Sequence, residues 1–316
     1  QRSLITAYLL QILSTLLLLG GVAYLLADRY LIDHVVVANV SANSSPTGPA
    51  IIPAESQISI VSSVTEEQAP GQEETLASIS STQVAILDDW SYLAEGISIT
   101  IQKVTSGSDR NTLTYFVADL ILSDATRLAS AFANDQFGRN IIDYTSSIAE
   151  QNDAIFAING DYYGFRTDGI VIRNGVIYRD APARTGLAFY LDGTIQIYDE
   201  TQTSAQELLA QGVWNTLSFG PALLVDGEMP ANLTIVEVDQ NFGNHSIQGN
   251  QPRAGVGLVA PNHFIFIVVD GRSTGYSRGA PQTQVAQMFM DLGCTQAYNI
   301  DGGGSSTMYF NGRVVN

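Results

Sequence analysis

Lysine is nearly absent from this chain of 316 residues, Lys103 being its only example. Chemistry that needs a lysine elsewhere is thereby excluded, including a phosphate-binding P-loop and a pyridoxal Schiff base. Cysteine is as scarce. Cys294 alone permits no intrachain disulfide and no zinc site of the cysteine-rich kind, and it reads as a small buried apolar residue near a helix end. Basic charge is also in short supply: 14 Lys and Arg against 31 Asp and Glu give a net charge of −17. A field of that sign repels nucleic acid and anionic lipid headgroups, so nucleic acid is not an expected partner. No internal repeat, no H-E-x-x-H and no EF-hand loop occurs. The chain begins without methionine and stops on Val314-Val315-Asn316, which reads as a processed or partial protein.

What is present falls into three parts: 1–30, 31–83 and 84–316. Leu4 to Ala27 is apolar and carries no charge. It exceeds the roughly 20 residues that cross a bilayer core and the about 7–15 of a signal peptide, so an uncleaved transmembrane anchor is expected. Arg2 and Arg29 flank the run and say little about orientation. The acidic segment that follows favours an extracytoplasmic domain on a single-pass membrane protein. Gln11, Ser14 and Thr15 would suit contact with a membrane-protein partner. Residues 31–83 are rich in Ser, Thr, Pro and Glu, with few residues able to nucleate a core, and read as a flexible stalk.

From Val84 onward the pattern is that of a packed domain. Ile97 to Ile101 alternates as a half-buried strand, Thr112 to Leu122 reads as another, and Ala154 to Ile158 as a buried one. Helices are expected over Ala125–Asn134 behind Asp124, over Asn140–Glu150, over Ser204–Gln211 and over Gln282–Leu292. The third would start on a Thr203-x-x-Gln206 capping box and stop at Gly212. Asn174-Gly175, Asp192-Gly193, Asp226-Gly227 and Asn311-Gly312 are tight-hairpin dipeptides. The expected fold class is α+β, with a mixed, largely antiparallel sheet and a few packed helices.

Two motifs fail on inspection. Gly271-Arg272-Ser273-Thr274-Gly275 matches the serine-hydrolase elbow, yet His34, His245 and His263 all precede Ser273 where a downstream histidine is required. Gly255 to Ala260 imitates a dinucleotide fingerprint, but Pro261-Asn262 follows where a helix should start.

Three other segments carry the chemistry, each placed after an apolar run: Asn159-Gly160-Asp161, Asp270-Gly271-Arg272 and Asp301-Gly302-Gly303-Gly304-Ser305. Carboxylates at strand ends beside glycines are presented to a ligand, and successive glycine amides can cradle an anion. With Arg253 they suggest one shared site.

NGDYYGFRTDGIVIRNG, SFGPALLVDGE, NHSIQGNQPRAGVG, VVDGRSTGYSRG and NIDGGGSSTMYFNG, in this order from Trp90 to Asn316, resemble the motifs of the phosphodiester glycosidase family. Bacterial members of that family are often linked with exopolysaccharide biosynthesis. The resemblance implies a hydrolase, and it places Asp161, Arg253, Asp270, Arg272 and Asp301 on the family's polar site positions. There are two departures. Gln284 stands where relatives often have an acidic residue, and the closing strand expected after FNGRVVN is absent.

Cleaving an anomeric carbon–phosphate bond requires neutralisation of phosphate and a carboxylate near the anomeric carbon. Arginine forks suit phosphate. Arg253, Arg272, the amides of Gly302, Gly303 and Gly304, and Ser305 are therefore expected to bind phosphate or sugar. Asp301 is the expected catalytic carboxylate, as nucleophile or base. Asp161 is the expected second, with Asn159 orienting it or a sugar hydroxyl. Asp270 is an alternative, unless it merely pairs with Arg272 or Arg278. His245 is a candidate substrate contact or an ordinary loop residue, and Tyr162 and Tyr163 either stack on a sugar or belong to the core. No cofactor and no metal is expected; the alternative is a calcium ion on Asp161, Asp168, Asp270 and Asp301. The expected function is hydrolysis of an N-acetylglucosamine-type sugar-1-phosphodiester in a surface polysaccharide or glycolipid. The rival readings are a metal-dependent phosphodiesterase and a non-catalytic glycan-binding scaffold.

Overall fold

The structure, a computed structural model, describes residues 2–30, 34–38, 86–236, 238 and 248–316. Most of the expected stalk, and His245 with it, lies outside these residues. An α-helix covers Arg2–Tyr30, as the apolar run requires. Among the described residues, however, no helix is long and apolar enough to cross a membrane, so the expected span over Leu4 to Ala27 is not supported. The strand His34–Ala38 pairs with Gln136–Arg139.

The domain is organised by one eight-stranded sheet. Its order is Ala222–Leu224, Gln296–Ile300, Arg253–Ala260, His263–Val269, Leu113–Leu122, Ile97–Ser106, Ser91–Ala94 and Ile86–Leu87. Every strand pair among the described residues is antiparallel, and smaller two- and three-stranded sheets complete the α+β fold. The sheet is covered on both sides, which explains the unbroken apolar sequence of its central strand. Phe264, Phe266 and Val268 face one core with Leu187, Phe189 and Tyr298. Ile265, Ile267 and Val269 face the other with Val285 and Phe289 of the Gln282–Asp291 helix. Period-two alternation therefore sorts residues between two buried faces rather than between core and water.

The glycines of the false dinucleotide motif have a packing role. A Cβ on Gly257 would lie 2.7 Å from Phe289 and 2.8 Å from the Cys294 sulfur. Gly257→Ala should therefore overpack the sheet–helix layer and destabilise the protein by about 1–3 kcal/mol, read as a lower midpoint of chemical denaturation. Cys294 is buried here, with its thiol pushed up to about 12 by burial.

Local expectations fare unevenly. Asn174-Gly175, Asp226-Gly227 and Asn311-Gly312 each have both residues at positive φ, as a type I′ turn demands. At Asp192-Gly193 only the glycine does, because the Asp192 carboxylate accepts from Thr194 N–H at 2.9 Å and shapes a different turn. The helix expected over Ala125–Asn134 is two single 3-10 turns, Ala125–Arg127 and Ala133–Asp135. Asp124 caps the first, but Asn134 sits at φ 53°, which ends any helical path. The next helix is confined to Thr145–Gln151, behind a positive φ at Asn140. The capping box is one residue later than expected, with Ser204 and Glu207 bonding reciprocally across the start of Ala205–Ala210.

Candidate active site

Sheet register assembles the site. Arg253 is opposite Val269 on one neighbour, while Ala254 is opposite Ile300 on the other. The start of one strand thus lies between two strand ends, those leading to Asp270 and to Asp301. The Phe156–Ile158 strand brings Asn159 and Asp161 through its pairing with Met308–Phe310. Glycines are needed where these backbones close on each other. A Cβ on Gly302 would come within 2.9 Å of Pro252 O, and one on Gly271 within 2.8 Å of Pro252 N.

Asn159 pins the loop from both sides. Its Nδ2 donates to Asp301 O at 2.7 Å, and its Oδ1 accepts from Thr307 N–H at 3.1 Å. The residue expected to orient a sugar or a carboxylate thus holds the turn that carries Asp301. Burial raises the Asp301 carboxyl above the ordinary aspartate range. The Ser305 hydroxyl, the Gly302 N–H and the charge of Arg166 pull it back down without prevailing, and the charge of Asp161 adds to the rise.

Asp161 is differently placed. Its Oδ1 accepts from Arg173 Nη2 at 2.8 Å, its Oδ2 from Ser218 N–H at 2.8 Å, and its side chain is 1% exposed. Asp161, the expected second carboxylate, thus has both oxygens engaged and holds Arg173 and the Ser218 peptide in place. Asp270 has both oxygens engaged too, by Tyr276 OH at 2.8 Å and Asn316 Nδ2 at 2.9 Å. It pairs with neither Arg272 nor Arg278. Burial, then the bond to Asp270, pushes the Tyr276 hydroxyl up to about 12.

Arg253 is buried and donates from Nε to Ala280 O at 3.0 Å and from Nη2 to Gly249 O at 2.8 Å. Burial, then the charge of Arg272, brings its guanidinium down to about 10. Arg272 is exposed and holds Gln251 Oε1 from Nε at 2.9 Å and Nη2 at 2.8 Å. Its backbone lies in the left-handed region at φ 57°, and its Nη2 would be 3.4 Å from a Cβ built on Gly303. The arginine therefore reaches over the glycine loop. Of the three loop amides expected to cradle an anion, that of Gly302 serves Asp301 and that of Gly303 donates to Pro252 O at 3.1 Å. Gly304 is exposed at the tip of the loop.

The other expectations resolve as follows. Tyr163 stacks on Phe137 at 5.7 Å in an aromatic cluster, its hydroxyl pushed up by burial to about 12. Tyr162 stacks on Phe165 at 4.7 Å. Asp168 pairs with Arg184 at 2.6 Å, and among the described residues no three acidic, histidine or cysteine side chains stand together as a metal site. Ser273 is in a turn closed by its own N–H to Ser277 O at 3.0 Å, and His263 pairs instead with Asp119 at 2.9 Å.

Several residues escaped the sequence reading. Arg166 lies between the rings of Tyr162 and Phe219, at 5.4 and 4.8 Å, and donates to Ser218 O at 2.8 Å. Glu200 is fully buried and accepts from the N–H groups of Ile170, Ala183 and Arg184 at 2.9–3.1 Å. Arg166 at least had a signal, as an arginine inside the NGDYYGFR block. Glu200 had none.

The family model of the phosphodiester glycosidases matches residues 152–316, a stretch that contains every strand-end segment described above. The chain belongs to the phosphodiester glycosidase family. It therefore belongs to a family of hydrolases. A curated relative, the SPbeta prophage-derived uncharacterized protein YomE of Bacillus subtilis (strain 168), is 30% identical over 189 residues. The match takes in 57% of this chain but only 28% of that protein, so this member spans about a quarter of its relative. Among solved structures, the zebrafish N-acetylglucosamine-1-phosphodiester alpha-N-acetylglucosaminidase catalytic domain, auto-inhibited by its pro-peptide, is similar at a TM-score of 0.55 and 21% identity. That match covers 70% of this chain and 75% of the zebrafish domain, and it shows a shared fold. A hypothetical protein from Synechocystis matches more loosely, with a TM-score of 0.47 and 14% identity over 71% of this chain and 59% of that one.

Proposed function

We propose that this phosphodiester glycosidase family member hydrolyses a sugar-1-phosphodiester, breaking the bond between the anomeric carbon and the phosphate oxygen. One observation carries the reading: a half-buried carboxyl of raised proton affinity, Asp301, opens a glycine loop reached by an arginine whose hydrogen bonds all go to a neutral amide oxygen. The guanidiniums of Arg272 and Arg253 take the charge of the phosphate as it departs. Phosphate leaves without a strong acid, so Asp301 is free to act on the other side of the reaction centre, as nucleophile or as base for water. A carboxyl whose burial raises its proton affinity is the stronger base once ionised. Asn159 fixes the turn that aims it, and the Asp161–Arg173 pair fixes the Ser218 peptide behind it.

An N-acetylglucosamine-type sugar is the proposed substrate, in line with the name of the zebrafish relative, carried on a surface polysaccharide or glycolipid. The proposed location is at a membrane, with the domain on the extracytoplasmic side. The exposed leucines of the Arg2–Tyr30 helix support this, Leu16 to Leu19 each being 60% exposed or more. Exposed apolar surface of this extent marks a contact for lipid or another helix. The test is incubation with UDP-N-acetylglucosamine in water enriched in heavy oxygen. Heavy oxygen in the released sugar is expected. Its appearance in phosphate instead would move the chain to the phosphodiesterases.

A further inference from the structure

Two asparagines grip the loop that carries Asp301. Asn159 takes the Asp301 carbonyl and the Thr307 N–H, and so ties the start of the loop to its end. Asn316 takes the backbone groups on either side of Thr307. Its Nδ2 donates to Ser306 O at 3.0 Å, and its Oδ1 accepts from Met308 N–H at 2.7 Å. The chain reaches this point because Arg313–Val314 folds back on Met308–Phe310, and Val315 N–H then donates to Met308 O at 2.9 Å.

The Asn316 amide has a further partner. Nδ2 also donates to Asp270 Oδ1 at 2.9 Å. Asp270 is itself held firmly: its N–H donates to Thr114 O at 3.1 Å, its carbonyl accepts from the Ser277 hydroxyl, and its Oδ2 accepts from Tyr276 OH. One amide thus joins the end of the His263–Val269 strand to the exit of the glycine loop. Both of its N–H donors and its oxygen are in use, and no other side chain of this length offers that set. A run of three glycines supplies little stiffness. The aim of Asp301 therefore depends on how the loop is held: Asn159 fixes its ends to each other, and Asn316 fixes its exit to a different strand.

We propose that Asn316 is a positioning residue of this site, which through Asp270 sets where the glycine loop lies and so aims the Asp301 carboxyl at the anomeric carbon. This rests on the glycosidase reading above. Asp270 then serves the site as the anchor of that contact.

The test measures kcat and KM on UDP-N-acetylglucosamine for the unmodified full chain, Asn316→Ala, Asn316→Asp, Asp270→Ala and the double alanine variant. Asn316→Ala should lower kcat about a hundredfold and move KM less than about threefold, the pattern of a misaimed group. Asp270→Ala should do the same, and the double variant should fall no further, because the two act as one unit. Asn316→Asp separates positioning from mere structure. Its carboxyl still accepts from Met308 N–H, but it offers Asp270 a donor only while the two carboxyls share a proton. Tyr276 faces the pair and stays protonated, its hydroxyl being pushed up to about 12, and Lys103 lies 5.3 Å from the Tyr276 ring. The ratio of this variant's kcat to that of the unmodified chain removes the titration common to both. It should come within about tenfold of unity at acid pH and fall to the alanine level as pH rises. A ratio that stays flat with pH, a loss carried by KM, or alanine effects that multiply in the double variant overturns the proposal. Should the alanine variants fail to fold, the pH profile of Asn316→Asp decides alone. If the unmodified chain turns over no diester, hydrogen exchange at the Met308 amide is compared with that of the unmodified chain at each pH. Exchange in Asn316→Asp that slows toward the unmodified rate on acidification leaves the clamp standing while the glycosidase reading fails. A relative exchange rate that does not respond to pH removes both.

Discussion

Asp301→Asn should lower kcat about a thousandfold on any sugar-1-phosphodiester the protein accepts, the range expected for losing a positioned proton-transfer group or nucleophile. Asparagine keeps the shape and can still accept from Ser305, so the loop should stay in place. The pH dependence gives a sharper signature. Because burial raises the Asp301 carboxyl, the limb of the pH–rate profile that it controls should lie above the ordinary aspartate range. Arg166 pulls in the opposite direction, so Arg166→Met should move that limb further up. Stability follows the same sign. A raised folded-state value means that the native protein binds the proton more tightly than the unfolded chain. The stability this contributes is complete below the unfolded value and is lost as pH rises through the folded one. At neutral pH the asparagine variant, which never ionises, should melt higher than the unmodified protein. A variant that melts lower and retains activity would remove Asp301 from the chemistry.

Asp161→Ala should act on the fold first. It strands Arg173, whose side chain is 5% exposed, and removes the acceptor of Ser218 N–H. Breaking a buried pair from one side costs about 3–5 kcal/mol, which in a domain of this size lowers the melting temperature by roughly 10 °C. Replacing both partners together, Asp161→Leu with Arg173→Met, should recover much of that loss, because the charge left behind is what costs most. Thermal melts of the three variants decide the matter. An alanine variant that melts normally but has lost activity would return Asp161 to the catalytic role that its sequence position suggested.

That contrast shows how far the sequence could be read. The strand-end segments were legible because glycine, aspartate and an apolar run leave few alternatives, and register then brought Arg253, Asp270 and Asp301 together. What stayed hidden was which carboxylates were already engaged. Asp161 is bound by Arg173 and by the amide of Ser218, which lies 57 positions along the chain, and no local pattern announces such a bond. The hairpins at Asn174, Asp226 and Asn311 were legible because asparagine and aspartate before glycine tolerate positive φ. The hairpin at Asp192-Gly193 also forms, with Phe189 opposite Ile195, but its turn type was not legible, because the Asp192 carboxylate bonds the amide two residues on. Asp124 does the same and caps only a single 3-10 turn where a longer helix was expected. The capping box slipped by one residue because Thr203 and Ser204 both have a Gln or Glu three positions later, and the charged one won.

Arg272 occupies a backbone conformation that glycine adopts freely and arginine does not, at a cost of about 1 kcal/mol. Selection for heat resistance alone would therefore drift toward glycine at this position. Under the proposed function, a lineage that keeps arginine there is held by the phosphate it binds, and loss of that arginine in a homologue would mark a member of the family that has stopped binding this anion.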